Sequence, residues 1–409
     1  MGRVLEETVL LGHGSGGTMM KRIIDEVFFD AYAGDELLQG DDAATLTPFA
    51  AGMGAANGDS DEGPDEAARK FSPFSTDGRI AFSTDSFVVS PHFFPGGDIG
   101  RLAVCGTVND IATSGAMPLY LSCGFILEEG YPIADLKRIC ASMAEAAREA
   151  GVKLVTGDTK VVNRGHGDGV FINTSGIGVL PQGVNLSGAN CQPGDKVLVS
   201  GTLGDHGITI MSCRESLSFS ADIQSDAAPL NHLIADVLEA TGSCGISTDS
   251  SPELNTLSTE GKGSLPFPHT ASAAEKGSRP LSAVRCFRDP TRGGIASTLN
   301  ELAGQSSVDI EVDEEAIPVR PQVLGACDML GYDVLQVANE GKMVCVVAAE
   351  QADAALAAMK ASSYGADAAI IGEVLPARAD RGPKVYVRNA FGGRRILDML
   401  VGEQLPRIC

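Results

Sequence analysis

The chain has 409 residues, 44% of them hydrophobic, a formal net charge of −22 and no tryptophan. That length predicts two domains with real cores, and no apolar run approaches the ~18 residues of a membrane span. So negative a surface repels nucleic acid and anionic lipid. An ATP site on it requires Mg²⁺ and locally placed cations.

The first residues, Met1 to Glu7, lack the basic and apolar regions of a secretory signal, which predicts a cytoplasmic protein. Ten cysteines occur without any C-x-x-C pair. That argues against a zinc site or a disulfide framework and for reduced, small apolar core residues.

Gly12-His13-Gly14-Ser15-Gly16-Gly17 is the first motif. Its amides can converge on phosphate oxygens, with the Ser15 hydroxyl added. It is neither a Walker A loop nor a dinucleotide turn, and alone it reads more readily as a mobile glycine loop. Residues 51–75 carry no periodicity and many Gly, Asp and Glu, and read as a disordered insertion. Aspartates recur at strand ends or turns in Gly40-Asp41-Asp42, Thr84-Asp85-Ser86, Asn109-Asp110-Ile111 and Gly157-Asp158-Thr159. A single turn aspartate is commonplace. Four in one half-chain, most after an apolar strand, favour a hard oxygen-ligated cation such as Mg²⁺.

Leu136, Ile139, Cys140, Met143, Ala147 and Ala150 recur at helical spacing, with Pro132 before them and Gly151 after. Val152–Thr156 predicts a strand. Lys160, two residues after Asp158, can hold a phosphate, act as a desolvated base, or simply be solvated. Val170–Leu180 predicts a second strand containing Gly176 and Gly178, and Pro181–Gly194 a domain boundary.

Lys196–Ser200 opens the second unit as a strand, and residues 243–283 form a second disordered insertion, rich in Ser, Thr, Pro and Gly. Arg288-Asp289-Pro290-Thr291-Arg292-Gly293-Gly294 leads into a helix over Gly294–Ala303. Free amides and the Arg292 fork there suit phosphate, though an ordinary N-cap turn looks the same. Glu340, in Asn339-Glu340-Gly341-Lys342, is a general base or a turn carboxylate. Strands at Met343–Ala348 and Ala369–Val374 and a helix at Ala352–Lys360 close the unit. His13, His92 and His206 lie in motif-like surroundings but read as structural or surface residues.

Cys409 is the last residue, on a tail that few contacts are expected to tie down. Fully extended, Arg395 to Cys409 spans ~45–50 Å. Such an arm suits a thiol that carries a group between sites.

Taken in order, GHGSGG, FSTDSFVVSPHFFPGGDIG, CGTVNDIATSGAMP, YLSCGFILEEG, VTGDTKVV, SGTLGDHG, RDPTRGG, ANEGK and PRIC resemble the aminoimidazole-ribonucleotide-synthetase-like ATP-binding superfamily. Within it they resemble the HypE family of hydrogenase maturation factors. The resemblance implies an α/β (α+β), two-domain PurM-like fold. Residues 1–182 would form a mixed-sheet ATP and dimerisation domain, residues 190–390 a C-terminal α/β domain, and residues 391–409 a flexible tail carrying PRIC.

It also implies a job. HypF would transfer a carbamoyl group to Cys409, ATP would drive its dehydration to a thiocyanate, and the cyanide would pass to iron on HypC–HypD for [NiFe] hydrogenase. By matching motifs, Asp42, Asp85 and Asp110 would bind Mg²⁺–ATP, with Asn109, Asp158, Thr159 and Arg292 as further nucleotide contacts. Gly14, Ser15 and Gly16 would close over phosphates, including those of a partner subunit in a homodimer. Lys160 and Glu340 would move protons near the thiocarboxamide, with Asp110 as an alternative acceptor. Two other classes stay open: a different ATP-dependent enzyme in which Cys409 is structural, and a non-catalytic scaffold that presents a thiol.

Overall fold

A computed structural model describes residues 17–23, 25, 43–46, 78–214, 223–243, 281–400 and 407–409. Gly14, Ser15, Gly16, Asp42 and nearly all of both insertions lie outside the described residues.

The N-terminal domain comprises α1 (Thr18–Ile23), β1 (Ala44–Leu46), β2 (Ile80–Phe87), the hairpin β3 (Phe93–Phe94) and β4 (Gly97–Asp98), α2 (Ile99–Thr113), β5 (Met117–Glu128), α3 (Ile133–Ala150), β6 (Lys153–Val162) and β7 (Val170–Val179). Five of its strands form one sheet in the order β1-β2-β7-β5-β6. The β5–β6 pair is parallel, with α3 as its crossover, and the other neighbours are antiparallel. Helix α3 follows its pattern: Ile139, Met143, Ala147 and Ala150 are buried, and Gly151 stops it at φ 73°. Strand β6 runs well past the expected Thr156, because it stays in register with β5 as far as Val162.

Helix α2 is buried on almost every side, lying between β2 and β7 and the second domain. Asp98 caps it, its carboxylate accepting from the Gly100 and Arg101 amides at 2.8 and 3.0 Å, a cap worth ~1 kcal/mol. The β7 glycines explain its close approach. A Cβ at Gly176 would lie 2.5 Å from Leu121 and 2.7 Å from Ile111, and one at Gly178 would lie 2.5 Å from Ile111.

The C-terminal domain comprises β8 (Lys196–Val199), α4 (Asp205–Arg214), α5 (Asn231–Ala240), β9 (Val284–Arg288), α6 (Gly294–Ser306), β10 (Asp309–Asp313), α7 (Pro321–Leu330), β11 (Val344–Val347), α8 (Ala352–Ala361), β12 (Ala369–Leu375), β13 (Val385–Arg388) and β14 (Arg394–Ile396). Its sheet runs β14-β13-β10-β12-β8-β11-β9. All four β11 residues are buried, because helices cover both faces: α6 on one, α5 and α8 on the other. The sheet continues beyond the boundary at 390, since Ile396 pairs with Tyr386. The tail proper therefore begins after β14.

The close packing of α2 on β7 gives a stability prediction. Gly176→Val forces a branched side chain between Leu121 and Ile111. It should cost about 1–3 kcal/mol, seen as a lower midpoint in denaturant or thermal unfolding. An unchanged midpoint would show that the helix can move away freely.

Candidate active site

The end of the chain is held tightly rather than loosely. Arg407 takes φ 51°, a left-handed bend uncommon for a residue with a side chain, and turns the last two residues inward. Its guanidinium pairs with Asp168 at 2.7 Å and donates to Val88 O at 3.2 Å. Arg214 donates to Arg407 O and, at 2.5 Å, to Ser90 O. His206 Nε2 donates to Ile408 O at 2.8 Å, and Val88 N–H donates to the main-chain oxygen of Cys409 at 3.0 Å. Ile408 and Cys409 are 2% and 7% exposed. Where few contacts were expected to tie the tail down, residues 407–409 are held by several, of which the His206–Ile408 bond is buried and those of Arg214 and Arg407 are part-buried.

The Cys409 sulfur lies within electrostatic reach of Arg292, Glu340, Asp85 and Asp289. Asp85 comes from β2 and points to the α2 side of the sheet. Arg292 comes from the turn before α6 and pairs with Asp85 at 3.4 Å. Glu340 comes from the turn before β11, and both domains fix its backbone. Its N–H donates to Asp226 Oδ1 at 3.0 Å, and its carbonyl accepts from Asn109 Nδ2 at 3.4 Å. Asp110, on α2, accepts from Ser83 at 2.8 Å and lies within the field of Arg292.

Burial dominates the electrostatics. It pushes the Cys409 thiol well up, against the pull of Arg292, so the docked sulfur is a neutral thiol. It raises Glu340 far above the usual carboxylate range, helped by Asp289, Asp85 and Asp226. Glu340 Oε1 has no hydrogen-bond partner among the described residues. Asp85 is also raised by burial, with Arg292 opposing. A buried carboxyl group with raised pKa, within electrostatic reach of a thiol, is suited to proton transfer near neutral pH.

The turn before α6 suits a polyphosphate. Gly293 takes φ 79°, and a Cβ there would collide with Ser297, whose buried Oγ has no hydrogen-bond partner among the described residues. That same Cβ would come within 3.9 Å of the amide of Gly17, the end of the N-terminal glycine loop. Gly17, the Gly293–Gly294 turn, the Ser297 hydroxyl and the α6 N-terminus therefore converge beside Arg292.

Several anticipated residues lie elsewhere. Asp158, Thr159 and Lys160 are exposed on the edge strand β6, where Lys160 pairs with Asp158. Lys160 is in register with Ile126, on the outer face of the sheet, whereas Asp85 is in register with the inward-facing Thr174 and Cys123. Lys160 and the Cys409 pocket of the same chain are thus on opposite faces. Asn109 is buried in the domain seam. Its amide donates to Ala228 O at 3.0 Å and accepts from Leu230 N–H at 2.8 Å, so within this chain it ties the domains together. Among the described residues no group of three or more metal-ligating side chains occurs; Asp42 is outside that set. Sequence reasoning missed Asp226, Val88 and Arg214, and His206 was read as structural. The one signal was His206 within SGTLGDHG.

Both domains match known families. Residues 40–180 match the AIR synthase related protein N-terminal domain, and residues 267–382 match the corresponding C-terminal domain. Fold and site define a two-domain protein of the AIR-synthase-related class. Carbamoyl dehydratase HypE of Rhizobium leguminosarum bv. viciae is 47% identical over 399 residues, covering 98% of this chain and 94% of its own. A crystal structure of a HypE–HypF complex matches with TM-score 0.73 and 43% identity, covering 92% of this chain and 99% of its own. One of HypE in complex with ATP matches with TM-score 0.68 and 42% identity, covering 98% and 100%. The chain belongs to the HypE family of carbamoyl dehydratases.

The thiol's protonation gives a pH prediction with a definite sign. The docked state holds the Cys409 proton more tightly than the released state does. Docking is therefore fully favourable below the ordinary thiol value of ~8.5 and weakens as pH rises above it. Alkylation of Cys409, followed by mass spectrometry of the C-terminal peptide, should keep rising by roughly tenfold per pH unit above that value. A free thiol levels off there, and a plateau near pH ~8.5 would show that the thiol is not buried in solution.

Proposed function

We propose that this chain is an ATP-dependent dehydratase that converts a carbamoyl group on Cys409 to a thiocyanate, supplying cyanide for [NiFe] hydrogenase iron. The observation that carries this reading is a neutral, buried Cys409 thiol within electrostatic reach of a buried Glu340 carboxyl whose Oε1 has no hydrogen-bond partner among the described residues. A buried neutral thiol is a poor nucleophile, so carbamoylation requires the tail to leave the pocket and reach a carbamoyltransferase. A relative in this family crystallises with HypF, which fits that role.

The docked state suits the second step. The thiocarboxamide oxygen attacks the γ-phosphorus of ATP, and ADP leaves. The oxygen then departs as phosphate as the C≡N bond forms, and both N–H protons are removed. The balance is thiocarboxamide plus ATP to thiocyanate, ADP, phosphate and a proton. Glu340 is placed to take a proton from nitrogen, its raised pKa making the carboxylate a stronger base. Arg292 is placed to hold phosphoryl oxygen charge that develops in the transition state. Mg²⁺ would be held by Asp85 and Asp110 with Asp42, and when bound it neutralises phosphate charge.

We also place a second copy of the chain on the outer face of the N-terminal sheet. Phe82, Ile177 and Tyr120 lie side by side in one row there, each about two-fifths exposed, and Ile126 is exposed on the same face. An apolar patch of this kind marks an interface. In such a homodimer Lys160 and Asp158 serve the partner's site, which accounts for their position on the far face from Cys409. The thiocyanate product passes its cyanide to iron on HypC–HypD. Cytoplasmic location is part of the same proposal.

Glu340→Gln should leave carbamoylation of Cys409 intact and slow loss of water by roughly 10²–10⁴-fold. Mass spectrometry of the C-terminal peptide, after incubation with HypF, carbamoyl phosphate and ATP, reads both steps. Normal dehydration in the variant would remove Glu340 from the chemistry.

Lys160 is tested by complementation. Lys160→Ala and Cys409→Ala chains should each be inactive alone. Co-assembled, they should regain dehydration, because the thiol of one chain meets the lysine of the other. No recovery in isolated mixed dimers would place the lysine's action within its own chain.

A further inference from the structure

His206 is wholly buried at the start of α4, and nothing in the dehydration chemistry uses it. Its two nitrogens have partners that fix its tautomer. Ile408 O can only accept, so Nε2 carries the proton and donates at 2.8 Å. In a neutral imidazole Nδ1 then accepts, so the Ser225 hydroxyl donates to it at 2.8 Å. Ser225 Oγ in turn accepts from Ala227 N–H at 3.2 Å. The result is one directed chain: Ala227 N–H to Ser225, Ser225 to His206, His206 to Ile408. Burial lowers the imidazole pKa, which keeps it neutral. Phe94 stands edge-on to the ring at 5.6 Å between centroids and holds its plane.

The segment that anchors this chain also anchors Glu340. Ser225 orients His206, and its neighbour Asp226 accepts from Glu340 N–H. Ser225 N–H donates to Pro95 O at 2.9 Å, and Arg101 Nε donates to Ala227 O at 2.8 Å, so the N-terminal domain grips the same stretch. The carbonyl next to Cys409 and the backbone of Glu340 are therefore both tied to one short segment, residues 225–227. We infer that His206 is a positioning residue for dehydration: it latches the Ile408 carbonyl so that the group carried by Cys409 faces Glu340. This inference rests on the dehydratase reading for its consequence, but the latch itself is measurable without turnover.

The test compares three chains. His206→Phe keeps the ring's bulk and loses the donor; His206→Gln keeps an amide N–H at the Nε2 position. Two readouts are followed by mass spectrometry of the C-terminal peptide: alkylation of Cys409 in the resting protein, and dehydration after carbamoylation by HypF. Leaving Ile408 O buried without a donor should raise the alkylation rate of His206→Phe by roughly 5- to 100-fold. Its dehydration should slow while carbamoylation does not. His206→Gln should return both readouts toward wild type, and it keeps the comparison decisive should the Phe variant fold poorly. Wild-type alkylation in His206→Phe, or a His206→Gln chain that alkylates as fast as the Phe variant, would overturn the latch. Failure of the wild-type chain to dehydrate at all would instead remove the dehydratase reading, with the alkylation comparison still deciding the latch.

Discussion

The burial of one sulfur atom organises this molecule. A thiol on a residue only 7% exposed, within reach of a guanidinium and a carboxyl group, is held neutral and unreactive. The same burial raises Glu340 toward the range useful for proton transfer. The carrier group must be loaded where the thiol is wet and processed where it is dry. A tail that can adopt both states meets this requirement, and a fixed cysteine would not.

The cost of that arrangement is carried by the seam between the domains. Helix α2 is buried on almost every side because it serves as the wall between the N-terminal sheet and the second domain. Asn109 reaches from it to the main chain at Ala228, Leu230 and Glu340. Arg292 crosses the same seam to Asp85. Contacts across the seam thus help to position Arg292, Asp85 and Glu340 around Cys409, together with contacts inside each domain, and a polar group left unpaired in such a seam costs ~1–3 kcal/mol. Domain packing and site geometry are therefore the same constraint.

Much of this was legible in the residues. The spacing of Ile139, Met143, Ala147 and Ala150 with Gly151 after them specified α3, because local periodicity and a left-handed stop suffice for an amphipathic helix. Glu340 and Arg292 stood out because their motifs combine a charge with glycines at a turn. Three features were hidden for physical reasons. The docking of residues 407–409 depends on Val88, His206 and Arg214, which are far away in sequence. The side of the sheet that Lys160 occupies depends on its register against β5, and a shift of one residue would reverse it. Asn109 reads as a ligand because it adjoins Asp110, yet along a helix adjacent residues point in different directions, and Asn109 faces the second domain.

The most direct test is a crystal structure of the carbamoylated chain with a non-hydrolysable ATP analogue. Residues 407–409 should keep their contacts with Val88, His206 and Arg214, with the carbamoyl nitrogen within hydrogen-bond reach of the Glu340 carboxyl and its oxygen turned toward the nucleotide's terminal phosphate near Arg292. A carbamoyl group in solvent, or one seated with its nitrogen against other residues while Glu340 stays apart, would contradict this arrangement.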